Sequence, residues 1–599
     1  MRIASSFQRA MASSIAGCKL HMRGKGSLAT CLQKIESYLH RRVGTGVVFA
    51  QARALQNDET DKATLRKSLF AVQVERQEQA KRSVLFNLKS RINEKTFLKH
   101  LLQHGNVNKY FFYESYGIYA VVEFADRKSV ASLLEEAAVP DMSTKPIMPF
   151  KSRLLLLKNL SAANVSMRLS NQQLQPQTSV HIKELVQRLS GLENIDQQMT
   201  SLTEAYELTE ASIRLRFLTC SLVQDVAAAF FPECTIQPFG STVNGFGKLG
   251  CDLDMILDLD NISGREKNML KPGLFLEYNM KSATSERTVT QQILSVITEC
   301  VDQFMPGCIG VQKILNARCP LLRFSHQPSG FQCDLTVSNR VAIKSTELLY
   351  LYSGLDPRVR LLVFTVRCWA RTHGITSSIP GAWITNFALT LMVLFFLQRR
   401  KPAIIPTLDH LKDLAGPSDH SVIDGNDCTF VTDFSKIQLQ SNTETIEHLL
   451  RDFFDFYSSF AFCKMSVNIR KGAEQNKHDS SPLYIQNPFE TKLNVSKNVN
   501  VAQMDRFVAL CQESSQMIQQ NGFNTPKGGR HGGQEPQPWG VAALLLPSKV
   551  VGVTSRKKRR REVTNERIKS LLESLKPKED EPQSTTNSDA SPSPSDTIK

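Results

Sequence analysis

The chain has no apolar run long enough to cross a membrane as a helix. The longest, Phe387 to Leu397, falls short of the roughly 18–20 residues a span requires and reads as a buried core helix. No secretory hydrophobic region opens the sequence. The 13 cysteines include no C-x-x-C pair and no regular spacing, which excludes zinc ribbons and a disulfide framework and leaves scattered thiols of a reducing compartment. No internal repeat is present, so solenoid and propeller architectures are excluded. Acids are scarce in the first fifty residues, where Glu36 stands alone against Arg2, Arg9, Lys19, Arg23, Lys25, Lys34, Arg41 and Arg42.

What is present is length and positive charge. At 599 residues the chain has room for roughly three or four domains. A formal charge of +16 points to a polyanionic partner, either nucleic acid or an anionic membrane surface. The Arg- and Ser-containing, acid-poor start (residues 1–50) resembles a mitochondrial transit peptide and implies the matrix as location; a merely disordered basic N-terminus is the plainer reading. Residues 547–599 carry the basic run Arg556 to Arg561 within a Lys-, Glu-, Pro- and Ser-rich tail that will not form a core. That run suits RNA contact or simple solvation.

Between residues 65 and 160, strand-like and helix-like segments alternate. Strands are expected at 83–88, 107–113, 117–124 and 153–157, and helices at 93–103 and 128–136. This βαββαβ order resembles an RNA-recognition motif. Its base-stacking signature is poor: Tyr119 is retained, but Val121 and Val84 stand where aromatics are expected. The module is therefore expected to serve homodimerisation or scaffolding ahead of base recognition. Residues 201–231 read as one long helical stretch, and 347–398 as largely helical.

The chemistry is concentrated in Phe239 to Leu257. Gly240 lets backbone approach a phosphate, and Ser241 adds a hydroxyl donor. Asp252 and Asp254, two apart on an expected strand, present carboxylates on one face, and the apolar Met255, Ile256 and Leu257 place them in a sheet interior where a cation must compensate them. Two-metal chemistry needs a third carboxylate, and Asp334 lies within an apolar strand expected in Gly330 to Val337.

This ordered set resembles the DNA polymerase β-like nucleotidyltransferases. The segment Asn339 to Leu349 narrows the likeness to the poly(A) polymerase and terminal uridylyltransferase family, with Asn339 and Thr346 where that family contacts ribose. Arg367 and Arg371 stand where it brings two lysines to the triphosphate; their i, i+4 spacing keeps both cations on one helical face. Asn386-Phe387 occupies the Ser-Tyr position whose aromatic stacks on the base. Tyr484 to Ser496 resembles the nucleotide-recognition loop, including Asn487 and Glu490, and Leu493 replaces the histidine that selects uracil. With the presequence and the first module, the arrangement is similar to the mitochondrial poly(A) polymerases.

The resemblance implies an α+β fold: a nucleotidyltransferase palm with a mixed sheet (200–345), a helical central and PAP-associated domain (346–546) and the N-terminal RRM-like module. It also implies template-independent addition of adenylate from ATP to RNA 3′ ends, with two Mg²⁺ or Mn²⁺ ions on Asp252, Asp254 and Asp334. A terminal uridylyltransferase and a catalytically silent RNA-binding scaffold are the alternatives. The complete carboxylate set argues against the second.

Overall fold

The computed structural model describes residues 66–88, 94–137, 152–157, 174–232, 234–259, 285–337, 339–379, 381–521 and 537–547. The presequence and the basic run Arg556 to Arg561 lie outside them.

Helix α1 (Leu69–Lys81) leads into β1 (Ser83–Leu88), α2 (Glu94–Leu101), β2 (Val107–Glu114), β3 (Ile118–Phe124), α3 (Arg127–Glu136) and β4 (Leu154–Leu157). The strands form one sheet in the order β2-β3-β1-β4, with β1 parallel to β4 and the other pairs antiparallel. This is the expected βαββαβ order, preceded by an additional helix. Alternation sorts each strand's side chains onto two faces. Val84, Phe86, Phe112, Ala120 and Val122 pack with Phe97 and Leu101 of α2 and with Val130 and Leu133 of α3.

The opposite face is not open. Leu85, Tyr113, Tyr119 and Val121 join the hydrophobic core of the following αβ unit, and Tyr113 Oη donates to the Pro328 carbonyl at 2.7 Å. Tyr119 is buried and stacks on Tyr113, with ring centroids 5.7 Å apart. The sheet face on which an RNA-recognition motif stacks bases is thus covered by the protein's own palm. Val84, expected on that face, points the other way: Leu85, not Val84, pairs with Val121 across the sheet.

The chain continues through α4 (Ile182–Ser190), α5 (Ile195–Tyr206) and α6 (Glu210–Ala227). The single helix expected over 201–231 is therefore two. Glu207 leaves the helix to form a β-bridge with Lys248, and Thr209 restarts it as N-cap by accepting from the Ser212 N–H at 3.1 Å.

Strands β5 (Thr235–Pro238), β6 (Leu253–Asp258), β7 (Cys308–Ile314), β8 (Leu321–His326) and β9 (Phe331–Val337), with helix α7 (Glu286–Phe304), complete the palm. The sheet order is β5-β6-β9-β8-β7. Only β6 and β9 are parallel, which makes the sheet mixed. Leu253, Met255, Leu257, Cys333 and Leu335 pack against α6 and α7. The even-numbered positions of β6 and β9 consequently face away from those helices, toward the rest of the chain.

The helical half comprises α8 (Arg340–Leu355), α9 (Pro357–Thr372), α10 (Asn386–Gln398), α11 (Leu408–Asp413), α12 (Ile446–Ser459), α13 (Val501–Asn521) and α14 (Gly540–Leu544). Asp356 separates α8 from α9: its carboxylate caps the Arg358 N–H at 2.8 Å, and Pro357 takes the first helical position, where no N–H is needed. Helix α10 is buried from Ala388 to Leu397, as its unbroken apolar run requires. Among the described residues no helix is long and apolar enough to cross a membrane, and the described cysteines are free.

Candidate active site

Three neighbouring strands place charge in one row. Asp254 on β6 pairs in register with Asp334 on β9, and Asp334 pairs with Arg323 on β8. All three project from the sheet face opposite α6 and α7. Asp252 stands one residue before β6 and is solvent-accessible, so its carboxylate flanks the row from an extended lead-in and not from the strand itself.

The crowding is visible in acidity. Burial first, then Asp334 and Asp252, raise Asp254 from the ordinary carboxylate range to about 7. Asp252 is also raised, by partial burial and by Asp334, with Arg323 opposing. Carboxylates that hinder one another's ionisation form a donor set short of positive charge, and hard divalent cations with oxygen ligands fit it.

Gly240 and Ser241 lie in a one-turn 3₁₀ helix ahead of this row. Gly240 adopts φ +62°, and a Cβ there would sit 3.1 Å from Asp254 Oδ2, so the close approach of turn to carboxylate requires glycine. The Gly240 N–H donates to Thr346 Oγ1 at 3.0 Å, and that hydroxyl donates to the Ala342 carbonyl at 2.8 Å. Thr346 is buried and holds the turn. Asn339 caps α8 by accepting from the Ala342 N–H.

Arg367 and Arg371 lie one turn apart on α9. Arg367 donates to the Phe246 carbonyl at 2.7 Å, and neither arginine forms an ion pair with a described residue. Desolvation without a carboxylate partner pushes Arg367 down to about 10. Such a cation is poised for an anionic ligand.

At the loop 484–496 the structure refines expectation. Asn487 Oδ1 accepts from the N–H groups of Phe489 and Glu490, both at 3.0 Å, and its N–H donates to the Leu493 carbonyl at 2.9 Å. Asn487 therefore shapes the turn that carries Glu490 and Leu493. Glu490 is ion-paired with Arg318 of the β7–β8 connection, tying this loop to the palm. Asn386 is exposed at the first turn of α10, and Phe387 is half-buried against the helical core.

Three arginines of the site carry no motif. Arg323 donates to both oxygens of Asp334, and Arg318 holds Glu490. Arg216, fully buried on α6, donates to the Cys251 carbonyl at 2.6 Å, to the Asp252 carbonyl at 3.0 Å and to Thr242 Oγ1 at 3.2 Å. An arginine set between Leu215 and the apolar pair Phe217-Leu218 was the available signal for Arg216. A separate acidic group, Glu444, His448 and Asp452, brings its ligand atoms within 4.8 Å of one another, but Arg400 bonds both carboxylates and makes it an ion-pair network.

A mixed-sheet palm with three convergent aspartates beside a phosphate-sized turn defines a nucleotidyltransferase. Residues 195–354, which include all three aspartates, match the family described as poly(A) RNA polymerase, mitochondrial-like, central palm domain, and residues 68–138 match the RL domain. The mitochondrial poly(A) RNA polymerase of Mus musculus is 54% identical over 88% of this chain and 88% of its own length. A crystal structure of mtPAP in complex with ATPγS is 50% identical, covers 80% of this chain and 100% of its own, and superposes with a TM-score of 0.73. A structure of mtPAP in complex with UTP gives 0.72 at the same coverage. The chain belongs to the mitochondrial poly(A) RNA polymerase family.

Proposed function

We propose that this protein adds adenylate residues from ATP to the 3′ ends of mitochondrial RNAs, without a template, in the mitochondrial matrix. The observation that carries the reading is the in-register pairing of Asp254 with Asp334 on the parallel strands β6 and β9. It brings together carboxylates separated by eighty residues of sequence, on the palm that faces a pair of arginines with no carboxylate partner among the described residues.

Asp252 and Asp254 would hold two divalent cations, Mg²⁺ or Mn²⁺, and Asp334 would contact the one nearer the RNA end; when bound, these supply charge neutralisation and acidify the 3′ hydroxyl. The remaining work falls to the chain. Ser241, Arg367 and Arg371 orient the triphosphate, with Gly240 allowing the approach and Thr346 fixing Gly240. The RNA 3′ oxygen then attacks the α-phosphorus in line, forming the new P–O bond as the bond to pyrophosphate breaks. Asn339 at the head of α8 meets the ribose. Asn386 and Phe387 offer a contact and a stacking face to the base. Glu490, on the turn built by Asn487, reaches the base edge, and Leu493 beside it offers no hydrogen bond to uracil.

Extension of an oligo(A) primer with each nucleoside triphosphate separately tests this. Extension dominated by ATP supports the reading; equal or better use of UTP turns it to a terminal uridylyltransferase. Extension is the required readout because relatives have been crystallised with both ATPγS and UTP.

RNA as partner accords with the +16 charge. Homodimerisation through residues 65–160 belongs to the same reading. The sheet face is covered, so the contact falls to the remaining surface, where Leu102 is 57% and Tyr110 37% exposed. Light scattering of the full chain carrying Leu102→Glu and Tyr110→Glu should then report a monomer; an unchanged mass would exclude that surface.

A further inference from the structure

We infer that Lys248 is a third cation of the triphosphate site, gripping the β- and γ-phosphates alongside Arg367 and Arg371. The inference rests on the proposed reading of those arginines and extends it to a residue of the loop joining Ser241 to Asp252.

Backbone contacts hold that loop in place at several points. Lys248 bridges Glu207 in antiparallel fashion, the Leu249 N–H donates to the Tyr206 carbonyl at 2.8 Å, and the Leu208 N–H donates to the Gly247 carbonyl at 3.2 Å. Arg360 donates to the Gly245 carbonyl at 3.1 Å while ion-pairing with Glu207, and Arg367 holds the Phe246 carbonyl. On the far side, the Cys251 N–H donates to the Lys248 carbonyl at 3.1 Å. Gly247 is required for this path, since a Cβ there would lie 2.1 Å from the Ser241 carbonyl oxygen. The main chain at Lys248 is therefore fixed against the Ser241 turn on one side and the α9 arginines on the other.

The side chain is different. Its ammonium forms no hydrogen bond or ion pair with any described residue, although the backbone around it is held throughout. It is half-buried and within electrostatic reach of Arg371 and Arg367, which repel it, and of Asp252, whose ionisation it favours. A lysine on an ordinary surface swings toward water or an acid. Here a half-buried ammonium lies within electrostatic reach of two guanidinium groups that form no ion pair with a described residue, an arrangement unfavourable until an anion enters. Position selects the anion. The chain of phosphates must run from the carboxylate row, where its α-phosphorus reacts, to the arginines, where pyrophosphate departs. The loop that carries Lys248 is held between the Ser241 turn and the α9 arginines, the two ends of that line.

The test compares Lys248→Met, Lys248→Arg and Arg371→Met full-length proteins for binding of ATP and of AMP, with thermal melting as the control for folding. Loss of one charged phosphate contact should weaken ATP binding about tenfold or more. AMP, which lacks the β- and γ-phosphates, should bind Lys248→Met within about twofold of wild type. Lys248→Arg should recover most of the ATP affinity. Equal weakening of ATP and AMP would make the residue structural and overturn the inference. Wild-type ATP affinity in Lys248→Met alongside a loss in Arg371→Met would overturn it while leaving the arginine reading intact. Wild-type ATP affinity in both would overturn the triphosphate site as a whole.

Discussion

Arg323 holds both oxygens of Asp334, Nε to Oδ1 at 2.8 Å and Nη2 to Oδ2 at 2.6 Å, from the adjacent strand in register. The third carboxylate of the site is thus already satisfied by a cation of the chain itself. An ion entering there must share Asp334 with the guanidinium or displace it.

Arg323→Gln should therefore tighten binding of the first divalent ion, by removing a competitor, while lowering the stability of the metal-free protein. Because the arginine side chain is 42% exposed, screening limits that cost to about 1 kcal/mol or less. Melting with and without Mn²⁺ checks both statements: a variant destabilised without the ion should gain more from it than wild type does. A gain smaller than that of wild type would show that Arg323 assists the ion.

Arg216 is a second prediction. It is fully buried beneath the loop that delivers Asp252 and satisfies two backbone carbonyls there. Arg216→Met should leave both carbonyls without donors, at a cost of about 2–4 kcal/mol. Hydrogen exchange at residues 251–254 should accelerate accordingly, and unchanged protection would contradict the role.

Gly240→Ala tests the turn. A residue with a Cβ at φ +62° is strained by about 1–2 kcal/mol, and here the added methyl also meets Asp254 Oδ2 at 3.1 Å. Primer extension should drop about a hundredfold with the circular dichroism spectrum unchanged. Activity near wild type would mean that the turn tolerates displacement.

Asp254 makes a prediction in pH. Burial, together with Asp334 and Asp252, pushes its carboxyl from the ordinary 3.8 up to about 7 in the folded protein. A carboxyl raised on folding favours the protonated native state, so the metal-free protein should lose stability as pH rises from about 4 to about 7. A bound cation must displace that proton. Half-saturating Mn²⁺, followed by electron paramagnetic resonance, should fall about fivefold between pH 6 and pH 7, about tenfold between pH 6 and pH 8, and level off above about pH 8. A flat profile would contradict the crowding of the three aspartates.

These residues also mark what was legible in the sequence. Asp252, Asp254 and Asp334 stood out because ionisable groups in apolar strands need a compensating partner. The βαββαβ alternation was readable because each strand and helix buries its own periodic face. Arg216, Arg318 and Arg323 were not, because a single arginine on a helix, loop or strand is chemically unremarked until its acceptors arrive from elsewhere in the chain. Residue 490 is the partner of Arg318, far along the sequence. The break at Glu207 was hidden for the same reason, since the bridge to Lys248 that interrupts the helix is tertiary. The covering of Tyr119 by the palm likewise depends on the packing of two modules, which no strand pattern encodes.

The most direct test of the central claim is primer extension by Asp334→Ala. The account predicts that extension with ATP falls by about a thousandfold or more in a protein whose circular dichroism matches wild type and whose melting falls no further than that of Arg323→Gln. Extension persisting near the wild-type rate would contradict the assignment of Asp252, Asp254 and Asp334 as one site.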